Sequence, residues 1–327
     1  MIRFGVIGTN WITESFIQGA AMHPDFMLAA VYSRTMEQAT QFANKHDIPH
    51  LYTDIVEMAI SGEIDAVYIA SPNSFHAKQA ILLMEQGIHV ICEKPIAANK
   101  KELEAMISAA QSNDVVLMEA MKSTLMPAFQ HIVKEVKQIG AVRRYFASYC
   151  QYSSRYNAYR SGEVLNAFKP DFANGSLMDI GIYCIYPAVV LFGKPKAVKA
   201  AGYLLESGVD GEGSLLLQYD TMDAVIMHSK IANSAVVSEI QGEDGNIVID
   251  KISEPQYLEV RQRDGQVRQI EAVCDKPTMY YEAAEFIQLI KEGRRQSEIN
   301  SYEASLITME IMNEARRQIG VLYPSDK

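Results

Sequence analysis

Three residues of this chain suit proton transfer to an alcohol or carbonyl oxygen: Lys94, Asp179 and Tyr183. Asp179 and Tyr183 stand four apart, which on a helix puts both on one face with about 5–6 Å between Cβ atoms. A phenol starts near pKa ~10 and needs a nearby cation to lower it. Lys94 can supply that charge, and Asp179 can orient the pair. The same residues have a plainer reading. Tyr183 can be a core aromatic, Asp179 a local cap, and Lys94 a holder of phosphate or ribose. Spacing alone leaves both open.

A second constellation opens the chain. The apolar run Ile2 to Ile7 stops at Gly8 and is followed by Thr9-Asn10-Trp11-Ile12-Thr13. A buried strand, a glycine turn and a helix starting near Trp11 form a dinucleotide site. The turn lets the backbone approach a pyrophosphate, and the helix N-terminus offers N–H groups and a positive dipole end. The pattern G-x-G-x-x-G would put Gly at Asn10 and Gly or Ala at Thr13. Asn tolerates left-handed backbone better than other residues with a side chain, so the turn can survive. An ordinary strand–helix turn without a ligand is the other reading.

These residues need a frame, and the first part of the chain supplies one by alternating strands and helices. Strands are expected at Met27–Tyr32, Ile64–Ala70, His89–Cys92 and Val115–Glu119. Helices are expected at Thr35–His46, His76–Gln86 and Lys100–Ser112. This rhythm implies a doubly wound parallel sheet with ligands outside the carboxyl ends of its strands. Those ends are Gly8, Ser33-Arg34, Ser71-Pro72-Asn73 and Glu93-Lys94-Pro95. The second end bears on cofactor choice. An NAD site usually places a carboxylate there for the ribose 2′-OH. Ser33-Arg34-Thr35 has none, and Arg34 can make a forked bond to a 2′-phosphate, which favours NADP(H) over NAD(H). A solvated Arg34 at a helix start is the alternative.

Character changes after about Met121, giving expected domains 1–121 and 122–327. Pro127–Ile139 reads as a helix and Val142–Tyr149 as a strand. Ser153–Ala173, with Arg155, Tyr156, Tyr159, Arg160 and Lys169, reads as a long loop without periodicity, a place where function concentrates. It is expected to choose the substrate, and its basic residues hint at an anionic or richly hydroxylated ligand. A helix starts near Gly175 or Ser176. Lys196 to Val273 is a run of β-like segments, with a hairpin signal at Asp264-Gly265, implying a large, mostly antiparallel sheet. One face of that sheet must be covered by helices or a second subunit. Helices at about Tyr280–Glu292 and Ser301–Ile319 close the chain, the last with a capping-box start at Asn300 and Glu303.

Composition narrows the classes. With 327 residues, two domains are expected, and the net charge of −10 argues against nucleic-acid binding. Ile2–Ile7 is too short for the core of a signal peptide, and no run of about 18 apolar residues is evident, so no membrane and a cytoplasmic location are expected. Four scattered cysteines without a C-x-x-C pair read as reduced thiols rather than a metal site.

Gly8-Thr9-Asn10-Trp11-Ile12, Ser33-Arg34, Pro72-Asn73-x-x-His76, Glu93-Lys94-Pro95 and Gly175-x-x-x-Asp179-x-Gly181-x-Tyr183 occur in that order. Together they resemble the glucose-fructose oxidoreductase / inositol dehydrogenase / rhizopine-catabolism (Gfo/Idh/MocA) family, over nearly the whole chain. The resemblance implies a Rossmann domain plus an α+β domain with an open sheet, and a homodimer or dimer of dimers. It makes Lys94 the catalytic and cofactor-contacting lysine, Asp179 the cleft aspartate, and Tyr183 the residue standing where many members have His. Tyr there is similar to the NADP-using branch of glucose-fructose oxidoreductase and dimeric dihydrodiol dehydrogenase. Asn73 and His76 match positions near the nicotinamide ribose, and Asn10 departs from the usual Gly. The implied activity is hydride transfer between NADP(H) and a hydroxyl-bearing carbon of a sugar, cyclitol or dihydrodiol. A non-catalytic NADP-sensing regulator on the same fold is the alternative.

Overall fold

Ile2–Ile7 forms β1, buried along most of its length and flanked by parallel neighbours on both sides. The computed structural model describes residues 1–272 and 274–327. It divides into two compact units, Met1–Lys122 with Lys276–Tyr302, and Ser123–Asp275 with Glu303–Lys327.

In the first unit the chain continues through α1 (Trp11–Ala20), β2 (Phe26–Tyr32), α2 (Met36–His46), β3 (His50–Tyr52), α3 (Ile55–Ile60), β4 (Ala66–Ile69), α4 (Asn73–Met84), β5 (His89–Glu93), α5 (Lys100–Ser112) and β6 (Leu117–Ala120). The sheet is parallel, in the order β3-β2-β1-β4-β5-β6. Sequential strands run outward from β1 in both directions, so the order reverses between β1 and β4. That is the place where doubly wound folds hold nucleotides. β4 and β6 are buried at every residue, as a sheet covered on both faces requires. Phe4, Phe16, Phe26 and Tyr68 build an aromatic core, with Phe16 stacked on Tyr68 at 3.8 Å. β3 and α3 were not expected from the sequence. They are too short to carry a periodic signal.

The second unit holds α6 (Pro127–Glu135), β7 (Val142–Cys150), α7 (Tyr156–Arg160) and α8 (Ile182–Phe192). Seven strands follow: β8 (Ala197–Leu204), β9 (Asp210–Gln218), β10 (Asp223–Ser229), β11 (Ser238–Gly242), β12 (Gly245–Ile249), β13 (Tyr257–Gln262) and β14 (Val267–Glu271). The sheet runs β14-β13-β12-β11-β7-β10-β9-β8 and is antiparallel except where β7 and β10 lie parallel. The Asp264-Gly265 signal joins β13 to β14 as the sequence predicts. Tyr145, Ala147, Leu215, Leu217, Ala224, Ile226, Ile240 and Ile247 point to the buried face. Helix α8 packs there on β7 and β10, and α6 on β13.

Two helices close the chain, α9 (Tyr280–Glu292) and α10 (Tyr302–Ile319). α9 belongs to the first unit. There α1 approaches it so closely that a Cβ at Gly19 would stand 2.7 Å from the Tyr280 nitrogen. The Asn300 amide donates to the Glu119 and Met121 carbonyls, tying the approach to α10 to the end of β6. In the second unit, the Gln318 side chain of α10 caps the β8 backbone at Ala200 N and Val198 O. Contrary to the sequence expectation, one helical run, Pro170–Phe192, is long and apolar enough to cross a membrane. In the structure 72 % of its most apolar window is buried, so this run is spent on the core.

Candidate active site

The first unit carries the residues expected to bind a dinucleotide, at the ends of β1, β2, β4 and β5. Gly8 has φ +103, and a Cβ there would stand 2.7 Å from the Ala70 carbonyl oxygen. Only glycine fits, and the space it leaves is what a pyrophosphate turn needs. Asn10 does not use left-handed backbone. It is extended, at φ −101, and caps α1. Its Oδ1 accepts from the Ile12 and Thr13 N–H groups, and its Nδ2 donates to Ala70 O at 3.2 Å. The departure from the glycine pattern therefore fixes the turn instead of breaking it. Thr13 is fully buried, and Trp11 is 67 % exposed beside the turn.

At the end of β2, Ser33 is buried and donates to Gln38 Oε1, while Arg34 is exposed just before the Thr35 cap of α2. No carboxylate follows the strand, so the local chemistry fits a 2′-phosphate. At the end of β4, Ser71 Oγ donates to Gln79 Oε1 at 2.6 Å, Pro72 precedes α4, and Asn73 is its first residue. His76 is fully buried. Its Nδ1 sits 2.9 Å from Pro95 O and its Nε2 2.8 Å from Ser71 O, and burial pushes its pKa down. This histidine clamps the loops after β4 and β5 together from behind. Both ring nitrogens of His76, expected from the family resemblance to stand near the nicotinamide ribose, are taken up by backbone carbonyls.

Glu93 is buried as well. It accepts from the Tyr68 hydroxyl at 2.6 Å and from the Lys94 N–H at 3.2 Å. Burial raises its pKa against the opposing pull of the Lys94 charge. Glu282 of α9 lies in the same charge cluster, wholly buried, and burial followed by Glu93 pushes its pKa well up. Lys94 is half-buried at the strand end, and its peptide bond to Pro95 is cis.

The second unit carries Asp179 and Tyr183. Leu177–Gly181 is a π-helical turn that runs directly into α8. The expected regular helix from Gly175 is thus wound wide over Asp179, a distortion that recurs at functional sites. Ahead of it, Gly175 has φ +140, and a Cβ there would run into the Asp210 carboxylate. Asp210 is buried and accepts from Leu177 N at 2.6 Å, so it anchors the turn. His228, also buried, faces Ser176 Oγ at 2.9 Å and Asp210 at 3.9 Å. Burial lowers the His228 pKa to about 3 and raises that of Asp210 to about 6.

Asp179 accepts from Lys230 Nζ at 2.5 Å. Lys230, just past β10, is buried, with Nζ 5.2 Å from the centre of the Phe168 ring. Tyr183 lies in the first turn of α8, nearly buried, its ring edge-on to Tyr149 at 5.8 Å. Sequence reasoning missed Lys230, because a lysine after an apolar strand reads as a solvated end. The segment 153–173 is more ordered than its lack of periodicity implies. It holds α7 and two 3-10 turns, and Tyr156, Tyr159 and Phe168 pack as a cluster with centroids 5.2–5.7 Å apart.

Residues 2–121 match the oxidoreductase family with NAD-binding Rossmann fold of the Gfo/Idh/MocA group, and residues 130–248 match a Gfo/Idh/MocA C-terminal domain. The chain is 60 % identical over 327 residues, all of both chains, to scyllo-inositol 2-dehydrogenase (NADP(+)) IolU of Bacillus subtilis (strain 168). It is 31 % identical to trans-1,2-dihydrobenzene-1,2-diol dehydrogenase of Danio rerio, over 99 % of each chain. Among solved structures, aldose-aldose oxidoreductase from Caulobacter crescentus shares the fold with a TM-score of 0.86 at 23 % identity, covering 97 % of each chain. Levoglucosan dehydrogenase does so with a TM-score of 0.85 at 23 % identity, covering 98 % of this chain and 97 % of that one. With a parallel sheet reversing at β1/β4, a glycine cradle at Gly8 and both domain types matched, the chain belongs to the Gfo/Idh/MocA oxidoreductase family.

Proposed function

We propose that the protein is an NADP-preferring dehydrogenase that exchanges a hydride with a CH–OH carbon of a cyclitol, with scyllo-inositol as the first substrate to try. The observation that carries this reading is full-length 60 % identity to an NADP-dependent scyllo-inositol 2-dehydrogenase. Ser33-Arg34 at the end of β2, with no carboxylate for a ribose 2′-OH, supports the same cofactor choice. The Gly8 turn, Thr9, the Asn10-capped start of α1 and the loops after β4 and β5 are the residues that would hold the dinucleotide. When bound, it supplies or takes the hydride at its nicotinamide ring.

The chain's own residues manage the proton and the substrate. Tyr183 donates a proton to the carbonyl oxygen in reduction and takes it back in oxidation. Lys94 polarises that oxygen and favours the tyrosinate. Asp179 accepts a hydrogen bond from a substrate hydroxyl and so sets which carbon is presented. Glu93 and His76 keep Lys94 and its loop in place. In this reading the Rossmann unit binds cofactor, the sheet unit binds substrate, and two copies pair through the outer face of the eight-stranded sheet. The buried thiols of Cys92 and Cys184 suit a reducing, cytoplasmic compartment.

The test is a fluorescence titration with NADPH and NADH, followed by turnover of scyllo-inositol with NADP+, on wild type and Arg34→Ala. The reading expects tight NADPH binding that weakens about tenfold or more in the variant, with NADH little changed, because a forked charge-assisted bond is lost. Cofactor binding without turnover of any polyol would turn the assignment to a non-catalytic NADP sensor.

A further inference from the structure

Lys230 is a charged side chain with 5 % of its surface exposed, and such a group needs a counterion. Its ammonium has Asp179 at 2.5 Å and the face of Phe168 at 5.2 Å. Its backbone is held too. Lys230 N donates to Gly211 O at 2.9 Å, and Ser153 N donates to Lys230 O at 2.8 Å. The next two N–H groups, of Ile231 and Ala232, are tied by Ser229 Oγ. The ammonium thus sits at a fixed point between the segment that carries Phe168 and the π-helical turn that carries Asp179. Asp179 is different. Its side chain is 37 % exposed, while its Oδ2 accepts from the buried Lys230 ammonium.

We propose that Lys230 is a positioning residue for substrate: it pins the Asp179 carboxylate from behind so that the outward side of that group reads a substrate hydroxyl. This rests on the dehydrogenase reading above. Lys230 is buried, so it acts through Asp179 rather than on the substrate. Phe168 extends the chain of support, which gives the 153–173 segment a physical route to the substrate hydroxyl that Asp179 reads. Lys230 balances the charge of Asp179, so this pair offers a directed acceptor without net charge. Of the basic residues of that segment, Arg155 and Arg160 are exposed and Lys169 is half-buried.

Steady-state kinetics on scyllo-inositol with NADP+ test this in wild type, Lys230→Met, Asp179→Asn and the double variant, with NADPH affinity measured in each. Lys230→Met is expected to raise KM about tenfold or more with NADPH affinity unchanged, as loss of a charge-assisted hydrogen bond implies. The double variant should be no worse than Asp179→Asn alone, because Lys230 works through that carboxylate. A wild-type KM in Lys230→Met, or losses that multiply in the double variant, would overturn the proposal. A wild type that binds NADPH but turns over no polyol would instead overturn the parent reading. Should Lys230→Met fail to fold, Phe168→Leu replaces it. It removes the ring under the ammonium and should raise KM severalfold without touching NADPH affinity, and an unchanged KM there would equally overturn the proposal.

Discussion

Two residues show how far a side chain's type fixes its task. Spacing alone leaves Tyr183 either a proton carrier or a core aromatic, and the family resemblance favours the proton carrier. The structure buries its ring edge-on to Tyr149 and leaves it 9 % exposed, which rigidifies the ring and removes water from around it. Removing only its hydroxyl should therefore leave packing intact and remove the proton path. Tyr183→Phe is expected to lower kcat about 10²–10³-fold, in the range found when one positioned donor is lost, while NADPH affinity stays at the wild-type value. Titration with NADPH beside turnover checks both, and unchanged turnover would remove Tyr183 from the mechanism. Asn10 shows the reverse case. Its type is legible as a departure from glycine, but its task is not. An extended N-cap whose amide also reaches Ala70, just past β4, is a tertiary arrangement that no local pattern encodes.

At the scale of elements, the π-helical turn stands on a buried pair that titrates in opposite senses. His228 is held down at about 3, so below its ordinary range the unfolded chain binds a proton that the native one refuses, and stability falls as pH drops from about 6.5 toward 3. Asp210 is held up at about 6. The native chain keeps its proton where the unfolded one has lost it, so this contribution is present below about 3.8 and is lost as pH rises through 6. Each slope is about 1.4 kcal/mol per pH unit where it acts alone, and between pH 6 and 4 the two largely cancel. His228→Gln should expose the carboxylate slope, making the variant gain stability relative to wild type on acidification from pH 7 to 4.5. Asp210→Asn should do the opposite. Urea midpoints at the two pH values decide it, and curves parallel to wild type would show that neither group carries its shift. The same elements mark what the sequence could and could not reveal. Strands β1, β2, β4, β5 and β6 and the β13–β14 hairpin were legible because their signals are local: apolar runs between helices, and Asp-Gly between alternating strands. The parallel pairing of β7 with β10 was not, since register between distant strands is set by packing. The Asp179–Lys230 pair was hidden for the same reason. It exists because β10 ends beside the turn that carries Asp179.

At the scale of the whole molecule, the proposed pairing of two copies can be argued from the register across the outer face of the eight-stranded sheet. Lys199, Leu216, Val225, Phe146, Glu239, Val248 and Glu259 are successive neighbours across β8, β9, β10, β7, β11, β12 and β13. The apolar centre Leu216-Val225-Phe146 is bounded by a lysine on one side and a glutamate on the other, each two strands from Val225. A two-fold axis along β10 carries each position to its mirror in the row. It would set the Lys199 end of one copy over the Glu239 end of the other, with three apolar side chains from each copy between them. An isologous interface requires such self-complementarity, and a sheet face packs on another sheet face at about 10 Å. Leu216 is 42 % exposed in a single chain, and pairing would cover it. The proposed homodimer should therefore be lost when charge enters the centre of the row. Sedimentation of wild type is expected to give twice the chain mass, and Val225→Glu, on the outer face and away from Asp179 and Tyr183, is expected to give the monomer with NADPH affinity retained. A wild type that sediments as a monomer at micromolar concentration would sink the pairing. A dimer that survives Val225→Glu would move the interface elsewhere, because two carboxylates facing across the axis at the centre of a buried apolar patch cost several kcal/mol.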